Sequence, residues 1–321
     1  VIDEAGFVGD GSWRLGWVDG FVEAASFRLV PETGASRGAL VERLLGRVEP
    51  DPELWEGVLI DALLAHPAAA RLRTLELRLT DFDRSAASAA AALAARRWDH
   101  LTSLHFGYGF EYLYEHGTSS TGRRIEPMDH YDKGLVGGAE AAMWAALPAL
   151  RTLTVEGALL FGWIGGEAVT DLRLRGAVVS DGGVLPGSHE GFVTLPALER
   201  LELEIDSDVH GTTGSVEMLA ELTAGGYPAL RSLDLGDALF DEGDFATLAA
   251  LADASVLPQL ERLRVRALNV ERFHVEGEPL AALAEVAPRF AHLRLSVAGD
   301  IAVEGAARAD VDRVLPTVSW R

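Results

Sequence analysis

Histidines and carboxylates gather in one stretch of this chain. Between Leu101 and Leu150 it reads GYGFEYLYEHGTSSTGRRIEPMDHYDKGLVGG, Gly107–Gly138. His105, His116 and His130 lie in or beside it, with Glu111, Glu115, Asp129 and Asp132. Imidazole nitrogens and carboxylate oxygens ligate zinc, but these spacings match no ligand motif of known geometry, so no metal is expected. The stretch also carries Tyr108, Phe110, Tyr112, Tyr114 and Tyr131, which include four of the chain's 5 tyrosines. Tyrosine offers a large contact area at low entropic cost and is favoured at binding hot spots. These five residues are therefore candidates for binding. The competing reading is that YGFEYLY extends a strand and packs down, leaving a polar Gly/Ser/Thr tip.

Catalytic motifs are missing elsewhere. There is no G-x-S-x-G turn to expose a serine, no H-E-x-x-H pair and no phosphate loop. GWIGGE (162–167) is glycine-rich but no G-K-[ST] follows it. The chain has no cysteine, which removes thiol nucleophiles, thiolate metal sites and disulfides together. Glu202 and Glu204 are the residue type that does general acid–base work. They alternate with leucines, however, and so stand on the open face of a strand rather than in a cleft that excludes water. A non-enzyme without a cofactor is expected.

Bulk composition narrows the partners. Lys plus Arg number 28 against 49 Asp plus Glu, a formal net charge of −21. Nucleic acid and anionic membrane surfaces are held by basic patches, so neither is expected here. No apolar run reaches the roughly 18 residues of a membrane span. With 48% hydrophobic residues the 321-residue chain can bury a large core. The absence of cysteine and of a membrane span points to a bacterial, cytoplasmic setting.

What positions these side chains is a repeat. LPALRTLTVEG (147–157) returns as LPALERLELEI, YPALRSLDLGD and LPQLERLRVRA. Written L-x-x-L-x-L, copies start at Leu72, Leu101, Leu150, Val169, Leu198, Leu230, Leu260 and Phe290, with degenerate copies at Leu315 and at Ala24–Phe27–Leu29. The last two apolar positions are two apart and share a strand face. Starts are mostly about 30 residues apart, which leaves room for a helix. Helical patterns occur at Ser215–Gly226 behind a Ser215 N-cap, at Asp244–Ala254 behind Asp244, and at Pro279–Ala287. Pro148, Pro196, Pro228, Pro258 and Pro288 each stand two residues before a start and end the preceding helix. The short interval from Leu150 to Val169 has no room for a full helix, so turns are expected there.

Strand, helix, strand in repetition gives parallel strands with right-handed crossovers, and stacked copies bury a face that one copy cannot. The pattern resembles the leucine-rich-repeat family in its longer strand–helix form, over roughly Leu72 to Trp320. The expected fold class is α/β: a leucine-rich-repeat solenoid, or horseshoe, with parallel strands on the concave face and helices on the convex face. The family's turn asparagine has no counterpart. The equivalent positions are Thr80, Gly109, Ala158, Ala177, Asp206, Ala238, Leu268 and Ala298, and Asn269 is the sole asparagine. The turns must be held some other way. WRLGWVDGFVEAASFRLV (13–30) is similar to the W-R-x-G-F-V-x-x-V segment that precedes the repeats in bacterial proteins with a repeat-companion domain. Helical patterns at 38–48 and 52–66 follow it. Residues 1–66 are thus expected to form an N-terminal cap over the first strand's edge. The solenoid would occupy 67–321, with an insertion at about 107–138.

Residues between the apolar positions face outward. Across the copies they are Glu76, His105, Thr154, Arg173, Glu202, Asp234, Arg264 and Arg294, with Arg175, Arg200, Glu204, Arg262 and Arg266 beside them. Opposite charges on neighbouring strands would form a ladder of pairs, or a charge-patterned surface that selects a partner. The function expected is non-catalytic recognition of a partner protein, through the concave face, the Tyr-rich insertion or both. Arg173, Arg175, Glu202, Asp234, Arg262, Arg264, Arg266 and Arg294 are the candidates on the strands. The alternatives are a regulator that stimulates or inhibits a partner enzyme such as a nucleotide hydrolase, and the binding domain of a longer chain.

Overall fold

Apolar residues at every second position give each repeat a strand with one dry face, and a computed structural model shows how those faces are stacked. It describes residues 13–28, 34–51, 54–80, 84–109, 115, 136–157, 160–176, 195–205, 214–220, 222–316 and 318–320. Phe110, Tyr112, Tyr114 and Tyr131 lie outside the described residues, as do Glu111, His116, Asp129, His130 and Asp132. The chain forms two compact units, Val1–Val169 and Thr170–Arg321. Both are α/β with mostly parallel strands. Among the described residues no helix is long and apolar enough to cross a membrane.

The first unit opens with an antiparallel hairpin, β1 (Trp13–Val18) and β2 (Phe21–Arg28). Its turn is Asp19–Gly20, both at positive φ (50° and 79°), the backbone that a two-residue hairpin turn requires. Then β3 (Thr74–Leu79), β4 (Ser103–Tyr108) and β5 (Thr152–Glu156) add in parallel, in chain order. The edge next to β3 is therefore continued by β2. Helices α1 (Gly34–Leu45), α2 (Trp55–Ala65), α3 (Arg84–Ala94) and α4 (Glu140–Ala146) connect the strands. Small residues let the helices approach closely. A Cβ on Gly57 would come within 2.5 Å of Ser88 Cβ, and Ala86, Ala89 and Ala90 of α3 are fully buried. Between β5 and the end of the unit the described residues form turns instead of a helix, as expected. There Leu160, Phe161 and Ile164 fill the core, with Phe161 between Phe106 (5.3 Å) and Trp144 (4.9 Å).

In the second unit β6 (Asp171–Arg175), β7 (Arg200–Ile205), β8 (Ser232–Ala238) and β9 (Arg262–Val265) pair in parallel in that order. A short strand, β10 (Leu268–Val270), leaves this sheet. Next, β11 (Arg294–Val297) joins β9, and β12 (Ile301–Val303) pairs with β10 as a separate two-stranded sheet. Finally β13 (Val318–Trp320) joins β11. The helices are α5 (Glu217–Ala220), α6 (Asp244–Asp253), α7 (Pro279–Val286) and α8 (Arg308–Val314).

Two registers differ from the sequence expectation, each by two residues. Phe27 aligns with Leu77 and Ala25 with Leu75, so the degenerate first copy is Val22–Ala25–Phe27, all buried, not Ala24–Phe27–Leu29. Likewise Leu295 aligns with Leu263 and Val297 with Val265, so the copy assigned to Phe290–Leu293–Leu295 sits two residues later. A slip of two keeps every side chain on its face, so apolar periodicity cannot detect it. The turn before the strand decides: Phe290 closes a 3₁₀ turn (Ala287–Phe290) that accepts Leu293 N at 3.2 Å.

Two helix expectations also change. Among the described residues the helix in Ser215–Gly226 covers only Glu217–Ala220. Thr223 ends it, its hydroxyl accepting Gly226 N (3.0 Å) and its carbonyl accepting Tyr227 N (2.9 Å). Asp244 is the first helical residue of α6 rather than its cap. Gly243 precedes it at φ 87°, and the Asp244 carboxylate is used elsewhere.

Backbone bonds tie successive copies together. At five strand entrances one carbonyl accepts two successive amides of the next copy, whereas Glu261 O before β11 accepts Arg294 N alone (2.9 Å). Arg73 O takes Thr102 N and Ser103 N (2.9 and 3.0 Å), and Thr102 O takes Arg151 N and Thr152 N (2.9 and 3.0 Å). In the second unit Thr170 O, Glu199 O and Arg231 O do the same. Strand exits are tied by Gly109 N to Leu79 O, Gly176 N to Glu204 O, Leu239 N to Ile205 O and Ala298 N to Val265 O. Acidic side chains from the helix starts hold the exit of β3 and backbone farther along after β5 and in β10. Glu56, fully buried, accepts Thr80 N with both oxygens (3.1 and 3.2 Å) and Thr80 Oγ1 with Oε1 (3.3 Å). Glu140 accepts Gly162 N (3.0 Å), and Asp244 accepts Asn269 N and Nδ2 (3.1 and 2.7 Å).

Candidate interaction surface

Strand alternation puts leucines on the helix side and polar residues on the other, open face. In the first unit the register lines up Ser26, Glu76, His105 and Thr154. Ser26 Oγ donates to Glu76 Oε2 (2.8 Å), and Arg78 Nε donates to the other oxygen of Glu76. Burial pushes the Glu76 carboxyl up. The bonds from Arg78 and Ser26, with the charges of Arg78 and His105, outweigh it and hold the group below the ordinary glutamate range. His105 Nε2 lies 2.9 Å from Glu156 Oε2, close enough for an ion pair when the ring is protonated but not in line for a hydrogen bond.

Glu156 is fully buried, although it ends a strand whose open face is half-exposed at Thr154. It aligns with Gly107, where any Cβ would overlap the Glu156 backbone. Tyr108, a binding candidate by sequence, is also fully buried. It packs where a Cβ on Gly157 would touch its ring at 2.9 Å. This aromatic is therefore core, not surface. The sequence reading missed Glu156, Glu56 and Glu140. For Glu156 a signal was present, since TLTVEG places a carboxylate directly after Val155 where the alternation ends.

In the second unit the row is Arg173, Glu202, Asp234, Arg264 and Ser296. Charges interlock along it. Arg173 Nε lies 2.8 Å from Glu202 Oε1, and its Nη2 donates to Glu204 Oε2 (3.2 Å). Arg175 meets Glu204 fork to fork, Nε to Oε2 at 2.7 Å and Nη2 to Oε1 at 3.2 Å. That pair is the least exposed, at 17% and 15% of the side chains. Arg200 pairs with Asp171. Arg264 Nη1 reaches both oxygens of Asp234 (3.3 Å each) and Asp237 (3.7 Å).

A bulge in β8 serves that last contact. The register shifts between Glu202 and Glu204, and Gly236 N bonds Asp234 Oδ1 (2.8 Å). The Arg264 guanidinium then lies where a Gly236 Cβ would stand. Carboxylates crowd β7 and β8. Burial raises the Glu202 carboxyl above its ordinary value, Arg173 opposes this, and Asp234, Glu204 and Asp237 add to it. Half-exposed pairs of this kind contribute about 0–1 kcal/mol each, so their role is to fix register and potential more than stability.

The remaining sequence candidates behave differently. Arg262, Arg266 and Arg294 are exposed. Among the described residues none of the three forms an ion pair. The register correction places Arg294 beside Arg262, not beside Arg264. Among the described residues no group of three or more His, Asp or Glu side chains is arranged to hold a metal ion. No family model matches the chain, and no curated protein matches it.

Proposed function

We propose that this chain is a leucine-rich-repeat solenoid of horseshoe form whose work is recognition of a partner protein, without catalysis, through the strand face. The observation that carries the reading is the second-unit row Arg173–Glu202–Asp234–Arg264. It is an open surface of register-aligned charges, two carboxylates flanked by an arginine on either side, backed by an apolar layer. Such a surface gives a partner a fixed potential to match, and electrostatic matching sets selectivity and encounter rate. Acyl transfer would need a nucleophile and base converging in a site that excludes water. The carboxylates here are instead spread along strands and matched to arginines.

The test is site-specific photocrosslinking in the native cell. A crosslinking side chain at Ser232 or Ser296 samples the strand face, and one at Ala249 or Glu285 samples the helices. One protein trapped from both strand positions and neither helix position is the expected result. Trapping only from the helices, or none from any position, overturns the assignment. If the trapped protein is a nucleotide hydrolase whose turnover changes on addition of this chain, recognition serves regulation.

A further inference from the structure

We propose that the basic end of the second unit's open face, Arg262 and Arg294 side by side with Arg264 on β9 and Arg266 just beyond it, docks an extended acidic segment of the partner protein. This rests on the recognition reading above and adds the partner's chemistry.

The first observation is a like-charge neighbour pair. Arg262 and Arg294 are direct register partners on β9 and β11. Like charges directly opposite on adjacent strands work against the sheet. Folding gains nothing from this arrangement, in contrast to the ion-paired arginines of the same face. Arg173, Arg175, Arg200 and Arg264 each face a carboxylate on the adjacent strand. Arg262 has Ser232 on its other side, and Arg264 has Ser296, so neither flank supplies a further carboxylate.

The second observation is spacing. Arg262 and Arg264 alternate with the buried Leu263 and Val265, and Arg266 is exposed one residue beyond β9. Residues two apart along a strand are roughly 6.6 Å apart. An extended peptide with Asp or Glu at every second position has the same period, so its carboxylates can meet successive guanidinium groups. Arginine suits this task because its planar fork takes a carboxylate through two parallel hydrogen bonds. The third observation is contrast. In a chain of net charge −21, this local basic row attracts an acidic segment. The carboxylates of β7 and β8 beside it repel the segment and set where it ends.

The probe is a fluorescein-labelled peptide of five Glu-Ser repeats, titrated with the full chain and read by fluorescence anisotropy at low and physiological salt. The expected result is saturable binding that weakens at least tenfold in R262Q/R294Q, with a shallower salt dependence. R308Q, which removes an exposed arginine paired with Asp312, should change the affinity less than twofold. A thermal melt of each variant checks folding. Equal weakening by R308Q would reduce the effect to net charge and overturn the proposal. So would binding of a decathymidylate as tight as the peptide, or no binding by the unsubstituted chain at millimolar concentration. Crosslinking from Ser232 and Ser296 to a partner, with no affinity for the acidic peptide, would leave recognition standing and remove only its acidic target.

Discussion

Glu56→Ala removes a carboxylate that holds a strand exit from inside the protein. Glu56 is fully buried in the first turn of α2, and both its oxygens accept Thr80 N while Oε1 also takes the Thr80 hydroxyl. Thr80 is itself buried, at 1% exposure. Alanine leaves two buried donors without this acceptor, and each orphaned group costs about 1–3 kcal/mol. The sum is about 3 kcal/mol, the lower end of the range for breaking a buried charged network. A glutamine keeps one carbonyl acceptor at the same reach and should cost about 1 kcal/mol. A chain with two compact units does not guarantee a single unfolding transition, so a local readout is preferable. Amide exchange at Thr80 reports opening of this exit. About 3 kcal/mol corresponds to roughly a hundredfold faster exchange. Thr80 exchange in Glu56→Ala within threefold of the unsubstituted protein would refute the idea that the buried Glu56 carboxylate holds this strand exit.

Other perturbations test other links. Gly107→Ala should destabilise the first unit by about 3 kcal/mol or more, because the new methyl meets the Glu156 backbone, which cannot move aside. Gly236→Ala meets only the far end of the Arg264 side chain, so a melt should shift little while Arg264 leaves Asp234. Leu201→Ala in β7 deletes a side chain that is 1% exposed and should cost about 2–5 kcal/mol in urea unfolding. Glu140→Gln tests a pH dependence. Burial raises the Glu140 carboxyl, and the Gly162 and Trp163 amides oppose this only in part. A raised carboxyl in the folded state favours folding fully below the ordinary glutamate range and loses that contribution as pH rises through its folded value. Glutamine keeps the Gly162 bond through its carbonyl. It should therefore flatten the decline in stability between mildly acidic and neutral pH, read by thermal melts across that window.

Much of the fold was legible because it rests on local rules. Leucines two apart imply a strand with one dry face, and the prolines before five of the starts imply turns, of which Pro258 and Pro288 sit in 3₁₀ segments. The charged row of β6 to β9 could be read from the same alternation. The binding candidates were less legible. Tyr108 looked like a contact residue because it is aromatic and opens the insertion, yet its place at the end of β4 puts it in the core. Arg294 seemed to belong beside Arg264 because counting from Phe290 preserved the apolar pattern.

The sequence by itself determined which residues face the core and which face outward, since a period of two leaves no choice once one face must be dry. Only the tertiary structure decided which outward residues become neighbours. A slip of two residues costs nothing in hydrophobic pattern and is settled by the turn before the strand. That turn places Arg294 against Arg262. It is also only in three dimensions that Glu56, distant in sequence from Thr80, becomes its acceptor, because a helix start must lie beside a strand exit before its carboxylate can reach the exit's amide.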